Sequence, residues 1–309
     1  MSSNAHVPVL LGPVLDGLKI KPDGCYVDGT FGRGGHSREI LKQLGNHGRL
    51  IAIDRDPQAI ASAPTSLTDD PRFELVRGEI AQLETIIVER DLDGKVDGLL
   101  FDLGVSSPQL DEADRGFSFM RDGPLDMRMD PDSGASASEW LATVDERDLK
   151  YVLRKFGEEN NAARIARAIV GAREEGPISR TAQLARIVED ASPKRGQKIH
   201  PATKTFQAIR IAINAELEQL EAVLGQSVSV MRKGARLCVI SFHSLEDRIV
   251  KRFIRDTSRE TEQYRGMPNV PEEFQPKLKT AGKAIRANAE EIAANRRARS
   301  AHLRIAERT

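Results

Sequence analysis

The stretch Tyr26-Val-Asp-Gly-Thr-Phe-Gly-Arg-Gly-Gly-His-Ser37 decides the fold, because it reads as a strand, a glycine-rich turn and the start of a helix. Cys25 to Asp28 is a short apolar run suited to a strand, and Ile40, Leu41 and Leu44 give the stretch from Ser37 to Leu44 helical spacing. Gly29, Gly32, Gly34 and Gly35 between them let the backbone turn tightly and approach a ligand closely. Working outward, Leu50-Ile-Ala-Ile53 is a second strand and Phe73-Glu-Leu-Val76 a third. Ile80 to Arg90 reads as a helix, and Val96 to Leu103 as a fourth strand, apolar enough to be buried on both faces. This alternation is the signature of a doubly wound, parallel α/β sheet of Rossmann-like type.

The alternation stops at a loop rich in Gly, Pro, Ser and Asp, from Leu103 to about Ser138. Helical patterns follow at Ala162 to Arg173 and Thr181 to Ala191. Thr203 to Leu224 reads as one long helix with Phe206, Ile209, Ile213, Leu217 and Leu220 on a single stripe. A strand returns at Arg236 to Phe242, then a helix from Leu245 to about Arg255. Two late segments, Lys277 to Lys283 and Ala301 to Ala306, have the character of a closing antiparallel edge. The expected organisation is one domain from residues 1–108 and 226–309, with a loop and an all-helical insertion, 109–225, that recognises substrate.

Lys+Arg and Asp+Glu both number 46, so the whole chain exerts no net pull on nucleic acid. The segment from Lys277 to Arg308 is locally basic and is either an interaction face or a solvated surface. No run approaches the roughly 18 uninterrupted apolar residues of a membrane span. The first residues lack the basic start and apolar stretch of a secretory signal, which leads to an expectation of a cytoplasmic protein without membrane contact. The two cysteines, Cys25 and Cys238, lie in strand-like runs without metal-ligand spacing, so they read as core residues and no metal is expected.

Asp54, about 25 residues after the first glycine and at the end of the second strand, suits hydrogen bonding to both hydroxyls of an adenosine ribose. The charge of the rim then separates the candidate cofactors. Asp28 ends the first strand and Asp102 the fourth, and such acids repel a dinucleotide pyrophosphate. S-adenosylmethionine instead brings a sulfonium and an ammonium, which acids attract. Asp28 has a second reading as a turn-forming or capping residue.

Beyond the fourth strand, Arg115, Phe117, Phe119 and Arg121 are placed to stack on and position an unpaired base. Asp126, Arg128 and Asp130 in the same loop equally suit a structural ion-pair network. Lys194, Arg195, Lys198, His200 and Lys204, ahead of the long helix, read as phosphate contacts or as a solvated helix entry. His243, at the end of the fifth strand, either orients a base or merely neighbours Ser244 as the cap of the next helix.

Several blocks together carry a resemblance to a known family. They are His6-Val-Pro-Val-Leu-Leu11, Asp28-Gly-Thr-Phe-Gly-Arg-Gly-Gly-His36, Asp102-Leu-Gly-Val-Ser-Ser-Pro-Gln109, the run Arg115 to Arg128, His200-Pro-Ala-Thr-Lys-Thr-Phe-Gln207 and Ser241-Phe-His-Ser-Leu-Glu-Asp-Arg248. The chain resembles, over nearly its whole length, the bacterial 16S ribosomal RNA cytosine-N4 methyltransferases. The resemblance implies a class I S-adenosylmethionine-dependent methyltransferase fold with a helical insertion. It also implies methylation of the exocyclic amine of a cytidine in the decoding region of the small ribosomal subunit. The partner is then 16S ribosomal RNA, within the small subunit, and a homodimer stays open. By motif, the cofactor contacts would be Gly34, Gly35, His36, Asp54, Asp102 and Gln109, with Ile80 standing where family members often carry an aromatic.

A cytosine amine has its lone pair delocalised into the ring, so its attack on a methyl group needs a hydrogen-bond acceptor that lets the nitrogen pyramidalise. Asp102, with Ser106 or Ser107, occupies the place where amino-methylating DNA enzymes carry a (Ser/Asp/Asn)-Pro-Pro-aromatic motif. Methylation at C5 would instead need a cysteine nucleophile on a loop, and neither cysteine is so placed. Two other classes remain at this stage: a methyltransferase for a small molecule or protein, and a non-catalytic RNA-binding assembly factor that would tolerate loss of Asp102.

Overall fold

Apolar runs flanked by glycine and aspartate turns form the parallel strands of the first hundred residues. In this computed structural model residues 8–193, 199–260, 264 and 271–309 are described. In chain order the elements before the long loop are α1 (Leu11–Leu18), β1 (Cys25–Asp28), α2 (Gly35–Gln43), β2 (Arg49–Asp54), α3 (Pro57–Ala61), α4 (Thr65–Thr68), β3 (Phe73–Arg77), α5 (Leu83–Val88) and β4 (Val96–Asp102). There follow α6 (Ser107–Asp111), α7 (Ala137–Thr143), α8 (Glu146–Gly157), α9 (Ala162–Glu175), α10 (Thr181–Asp190), α11 (Ala202–Ile213) and α12 (Glu216–Val230). The last are β5 (Met231–Ser241), α13 (Ser244–Thr257), β6 (Leu278–Thr280), β7 (Ile285–Arg286), α14 (Ala289–Ala294) and β8 (His302–Arg308). They fall into two compact units, Met1–Gly104 with Glu218–Thr309, and Val105–Leu217.

The first unit is built on one sheet of strand order β3-β2-β1-β4-β5-β8-β6, with β7 also paired to β8. Strands β1 to β5 run parallel, and β8 adds antiparallel to β5, with Leu237 opposite Ala306 and Val239 opposite Arg304. Successive side chains of a strand point to opposite faces, and each face here has its own core. Val27, Ile51, Leu99, Phe101 and Val239 pack on one side, and Tyr26, Leu50, Leu100, Cys238 and Ile240 on the other. The nearly continuous apolar character of β4 follows from burial on both faces. The expected closing edge is present, as β6 pairs with β8 from Leu278 opposite Arg308 to Thr280 opposite Ala306.

The second unit is helical, with a core that includes Leu149, Leu153, Ile165, Ile169, Leu184, Val188 and Ile209. α7 and α8 occupy a stretch for which no helix was anticipated. Their signals are nonetheless local: Ser136 caps α7 in a capping box with Glu139, and Leu149, Val152, Leu153 and Phe156 form the buried stripe of α8.

The long helix expected over Thr203 to Leu224 is two helices. α11 ends at Asn214, and Ala215 takes a left-handed conformation with φ 48°. Asn214 is buried, and its amide is the reason for the break. Its Oδ1 accepts from Met129 N–H (2.7 Å), and its Nδ2 donates to Met127 O (2.7 Å) and Arg210 O (2.9 Å). One side chain thus fixes the loop of the second unit to the end of α11. The expected boundary at 225/226 also falls inside α12, whose Leu220, Val223 and Leu224 belong to the sheet core. The helix read over Ile80 to Arg90 is a 3-10 turn, Ile80–Gln82, leading into α5. No helix among the described residues is long and apolar enough to cross a membrane.

Replacing Asn214 with Ala strands the Met129 N–H and the Met127 carbonyl, and a loss of about 3 kcal/mol in urea unfolding is expected. Ala215→Gly relieves a left-handed residue and is expected to raise stability by up to about 1 kcal/mol in the same measurement.

Candidate active site

The chain leaves β1 towards β2 and β3 on one side and returns to β4 and β5 on the other, which creates a crevice at the carboxyl ends of β1 and β4. The glycine-rich turn lies there. Gly29 N–H donates to Leu100 O and Phe31 N–H to Ile53 O, each at 2.9 Å, so the turn is tied to β4 and β2 alike. Gly34, with φ +70°, starts α2, and a Cβ on it would come within 2.7 Å of Leu67 and 2.8 Å of Phe31. A Cβ on Gly35 would approach Pro8 to 2.6 Å. Side chains are excluded at both positions by their neighbours, which leaves bare backbone at the turn.

Three carboxylates occupy the strand ends, and they differ in what they do. Asp28 is buried: Ser37 Oγ donates to its Oδ2 (2.6 Å) and Thr30 N–H to its Oδ1 (3.2 Å). It therefore holds the turn, which is the capping alternative of the two readings. Burial raises its carboxyl above the ordinary range, with His36 and these hydrogen bonds opposing. Asp54 accepts Gly32 N–H at Oδ2 (2.7 Å) and Asp56 N–H at Oδ1 (2.9 Å) while remaining partly exposed. Burial pushes its carboxyl up to about 6 against the pull of those two amides. Each oxygen keeps a lone pair for a ligand hydroxyl.

Asp102 ends β4, and its N–H donates to Thr30 Oγ1 (2.6 Å). Thr30 was not foreseen, yet it joins the turn to the last residue of β4. Asp102 Oδ2 lies 3.5 Å from His36 Nδ1, whereas Oδ1 is buried with no hydrogen-bond partner. Burial pushes this carboxyl up to about 6, with His36 opposing and the Asp28 and Glu246 carboxylates adding to the rise. His36 Nε2 is 3.0 Å from Val9 O. A carbonyl only accepts, so Nε2 is the nitrogen that carries a hydrogen towards Val9, and Nδ1 is the one that faces Asp102.

Ile80 sits in the turn after β3 and packs on the sheet core, with Gly78 N–H bonded to Asp54 O (3.0 Å) just before it. His243 is itself the N-cap of α13, with Ser244 as the first helical residue, which corrects the expected capping by Ser244. Glu246 was missed. It is buried, accepts Phe242 N–H at Oε2 (2.8 Å), and lies 3.1 Å from His243 Nε2 without an aligned hydrogen bond. The capping pattern His-x-x-Glu was the available signal.

The second unit holds the remaining expected residues. Ser106 caps α6 in a capping box, its N–H donating to Gln109 Oε1 (2.9 Å), while Ser107 begins the helix. Gln109 is buried, so its side chain has a structural task that the motif did not reveal. Arg115 and Phe117 are 7% and 5% exposed, which corrects their assignment to base stacking. The Arg115 guanidinium donates to Arg128 O (3.1 Å) and Met129 O (3.0 Å), building the inside of the loop. Asp126 and Arg128 form an ion pair at 2.7 Å. Phe119 is half-buried, its ring 4.5 Å from that of His200 and 5.0 Å from that of Phe206. Arg121 donates to Asp111 O (3.2 Å) from an exposed position, and half-buried Lys204 donates through Nζ to Glu158 O (2.9 Å). Lys194, Arg195 and Lys198 lie outside the described residues.

The donor set of the first unit fits a cationic nucleoside. Desolvated Asp54 and Asp102 are relieved by positive charge nearby, and a pyrophosphate would worsen their burial. Solved structures that match include an rRNA methylase from Streptococcus thermophilus, at 12% identity and TM-score 0.41, covering 98% of this chain and 99% of that one. Another is an S-adenosylmethionine-dependent O-methyltransferase from Thermotoga maritima, at 8% identity and TM-score 0.43, with coverages of 100% and 68%. A third is NSun6 from Pyrococcus horikoshii, at 15% identity and TM-score 0.42, with coverages of 97% and 52%. The sequence profile of the MraW methylase family matches residues 3–309. The chain therefore belongs to the MraW methylase family, has the class I fold, and takes S-adenosylmethionine as its cofactor.

Proposed function

We propose that the protein methylates the N4 exocyclic amine of a cytidine in 16S ribosomal RNA, in the decoding region of the small subunit and in the cytoplasm. The observation that carries the reading is the buried, unpartnered Oδ1 of Asp102 at the end of β4. An amine hydrogen placed there satisfies that oxygen, and the nitrogen lone pair is released from the ring for attack. When bound, S-adenosylmethionine supplies an electrophilic methyl group on sulfur. Asp54 would hold the ribose and Gly34 and Gly35 the remainder of the nucleoside, with His36 fixing Asp102 from behind. As the methyl group moves from sulfur to the amine nitrogen, Asp102 would take the proton that the nitrogen sheds or pass it onward to water.

The cysteines favour an amine over a ring carbon as acceptor. Methylation at cytosine C5 needs a thiolate, and the chain has only Cys25 and Cys238. Both lie in strands, and burial pushes their thiols up to about 11 and about 12. In the second unit, Phe119, Arg121 and Lys204 remain as candidate contacts to unpaired RNA. Ser106 and Ser107 stand as secondary polar groups near the chain's turn after Asp102, and His243 as a residue that shapes the end of β5.

Incubation with labelled S-adenosylmethionine and small subunits that lack their own modification is expected to yield N4-methylcytidine after digestion to nucleosides. Label in 5-methylcytidine, or none in RNA, would overturn the reading. Asp102→Asn should lower kcat by about 10²- to 10³-fold. Asp54→Ala should weaken cofactor binding in calorimetry by at least about 10²-fold, since it also leaves the Gly32 and Asp56 amides without an acceptor. Because Asp54 and Asp102 titrate near 6, lowering the pH from 7 to 5 should weaken the cofactor by about tenfold or more as they protonate. The free protein should respond in the opposite sense. A carboxyl raised in the folded state binds protons before the unfolded chain does, so these two groups add stability as pH falls through 6 and lose it as pH rises.

A further inference from the structure

The first unit carries a second concentration of charge, away from the acidic strand ends. A cavity of about 390 Å³ lies between α13, the turn from β6 to β7 and the middle of β8. Lys251, Arg255, Arg259, Lys283 and Arg304 line it, together with Ser258, and none of its lining residues is an acid. Arg304 is paired with Asp247 and Arg255 with Asp256, each at 2.7 Å. Lys251, Arg259 and Lys283 have no ion pair among the described residues. The Ser258 Oγ is buried and has no hydrogen-bond partner. Asp247 and Asp256, already paired with Arg304 and Arg255, are the acids that also feel Lys251 and Arg259, so two carboxylates serve four cations, and with Lys283, an unsatisfied hydroxyl and apolar walls from Ile254 and Ile305 the cavity keeps an excess of positive charge suited to an anion.

The spacing of the cations indicates the kind of anion. Lys251 and Arg255 stand one turn apart on α13 and Arg259 lies two residues past its end, so one side of the cavity is lined by a row of cations contributed in succession along the chain. A free phosphate engages one end of such a row. A nucleic acid strand, with a charge about every 3.4 Å, engages all of it. The location agrees: β8 is the second strand from β4 in the sheet, about 10 Å away across it. An RNA strand whose target base reaches Asp102 therefore passes within a few nucleotides of the cavity.

We propose that this cavity docks the phosphodiester backbone of the substrate RNA, through Lys251, Arg259, Lys283 and the Ser258 hydroxyl, at a second position beside the reacting base. The proposal rests on the RNA reading above. The locally basic carboxyl-terminal segment thereby gains a task through Lys283 and Arg304, besides closing the sheet.

The test compares wild type with Lys251→Glu/Lys283→Glu, and with Arg259→Gln as a milder second variant, in binding a labelled single-stranded ribosomal RNA fragment between 50 and 200 mM salt, about the range over which such contacts weaken. The double variant should bind at least about tenfold more weakly at low salt, and its slope of log affinity against log salt should fall by about 1.4, two contacts at about 0.7 each. Cofactor affinity and thermal midpoint should match wild type, which shows that the fold is intact. Unchanged RNA affinity and slope in the variants, with wild type binding RNA, would overturn the docking proposal alone. Absence of RNA binding by wild type would overturn both it and the substrate reading. Saturable binding of inorganic phosphate or a mononucleotide that the variants lose, without change in RNA binding, would assign the cavity to a small phosphate ligand instead.

Discussion

Carboxylates held out of water at the ends of parallel strands are the constraint about which the site is arranged. A parallel sheet directs the carboxyl ends of β1, β2 and β4 to one edge, and this chain ends each of those strands with aspartate. Asp28 is hydrogen-bonded internally by the Ser37 hydroxyl and the Thr30 amide, so it shapes the loop. Asp54 is half-satisfied by two amides, and Asp102 has one oxygen without a partner. This gradation leaves Asp54 and Asp102 with hydrogen-bonding capacity that Asp28 has already used within the turn. Thr30 and His36 are the intermediates, since one ties the turn to β4 and the other approaches Asp102 from α2.

The parallel sheet was legible in the sequence because its information is local. Apolar runs of strand length, each bounded by glycine or aspartate, are visible without knowing what packs on them, and Asp54 and Asp102 were found by position at their ends. The break between α11 and α12 was not legible, because a continuous apolar stripe runs through it. Only the burial of Asn214 against the carbonyl of Met127 and the amide of Met129 stops the helix, and those partners are more than eighty residues away. The loop residues failed for a related reason. Arginine and phenylalanine are the types that grip a base, and they are equally the types that fill a loop, so Arg115 and Phe117 had two outcomes that only tertiary contacts distinguish.

Charge in this protein is segregated where the totals suggest none. The 46 cationic and 46 anionic side chains cancel over the chain, yet the strand ends concentrate acids while the cavity between α13, the β6–β7 turn and β8 is lined by five cations and no acid. A cationic cofactor and a polyanionic substrate need opposite surroundings. Placing the two environments on different strands of one sheet lets both exist without cancelling each other.

The interruption of the sheet unit by the helical one has a consequence for how the protein comes into being. Residues 105–217 are contiguous, so their contacts can form as soon as that stretch is synthesised. The sheet cannot do this. β5 waits for the whole insertion to be made, and β8, which completes the β5 edge from Arg236 opposite Glu307 to Ser241 opposite His302, comes some sixty residues later again. Until then β5 presents an open apolar edge, a template for pairing with another chain. The order of synthesis therefore makes the sheet unit the slow and aggregation-exposed part of the molecule, with the insertion folded first.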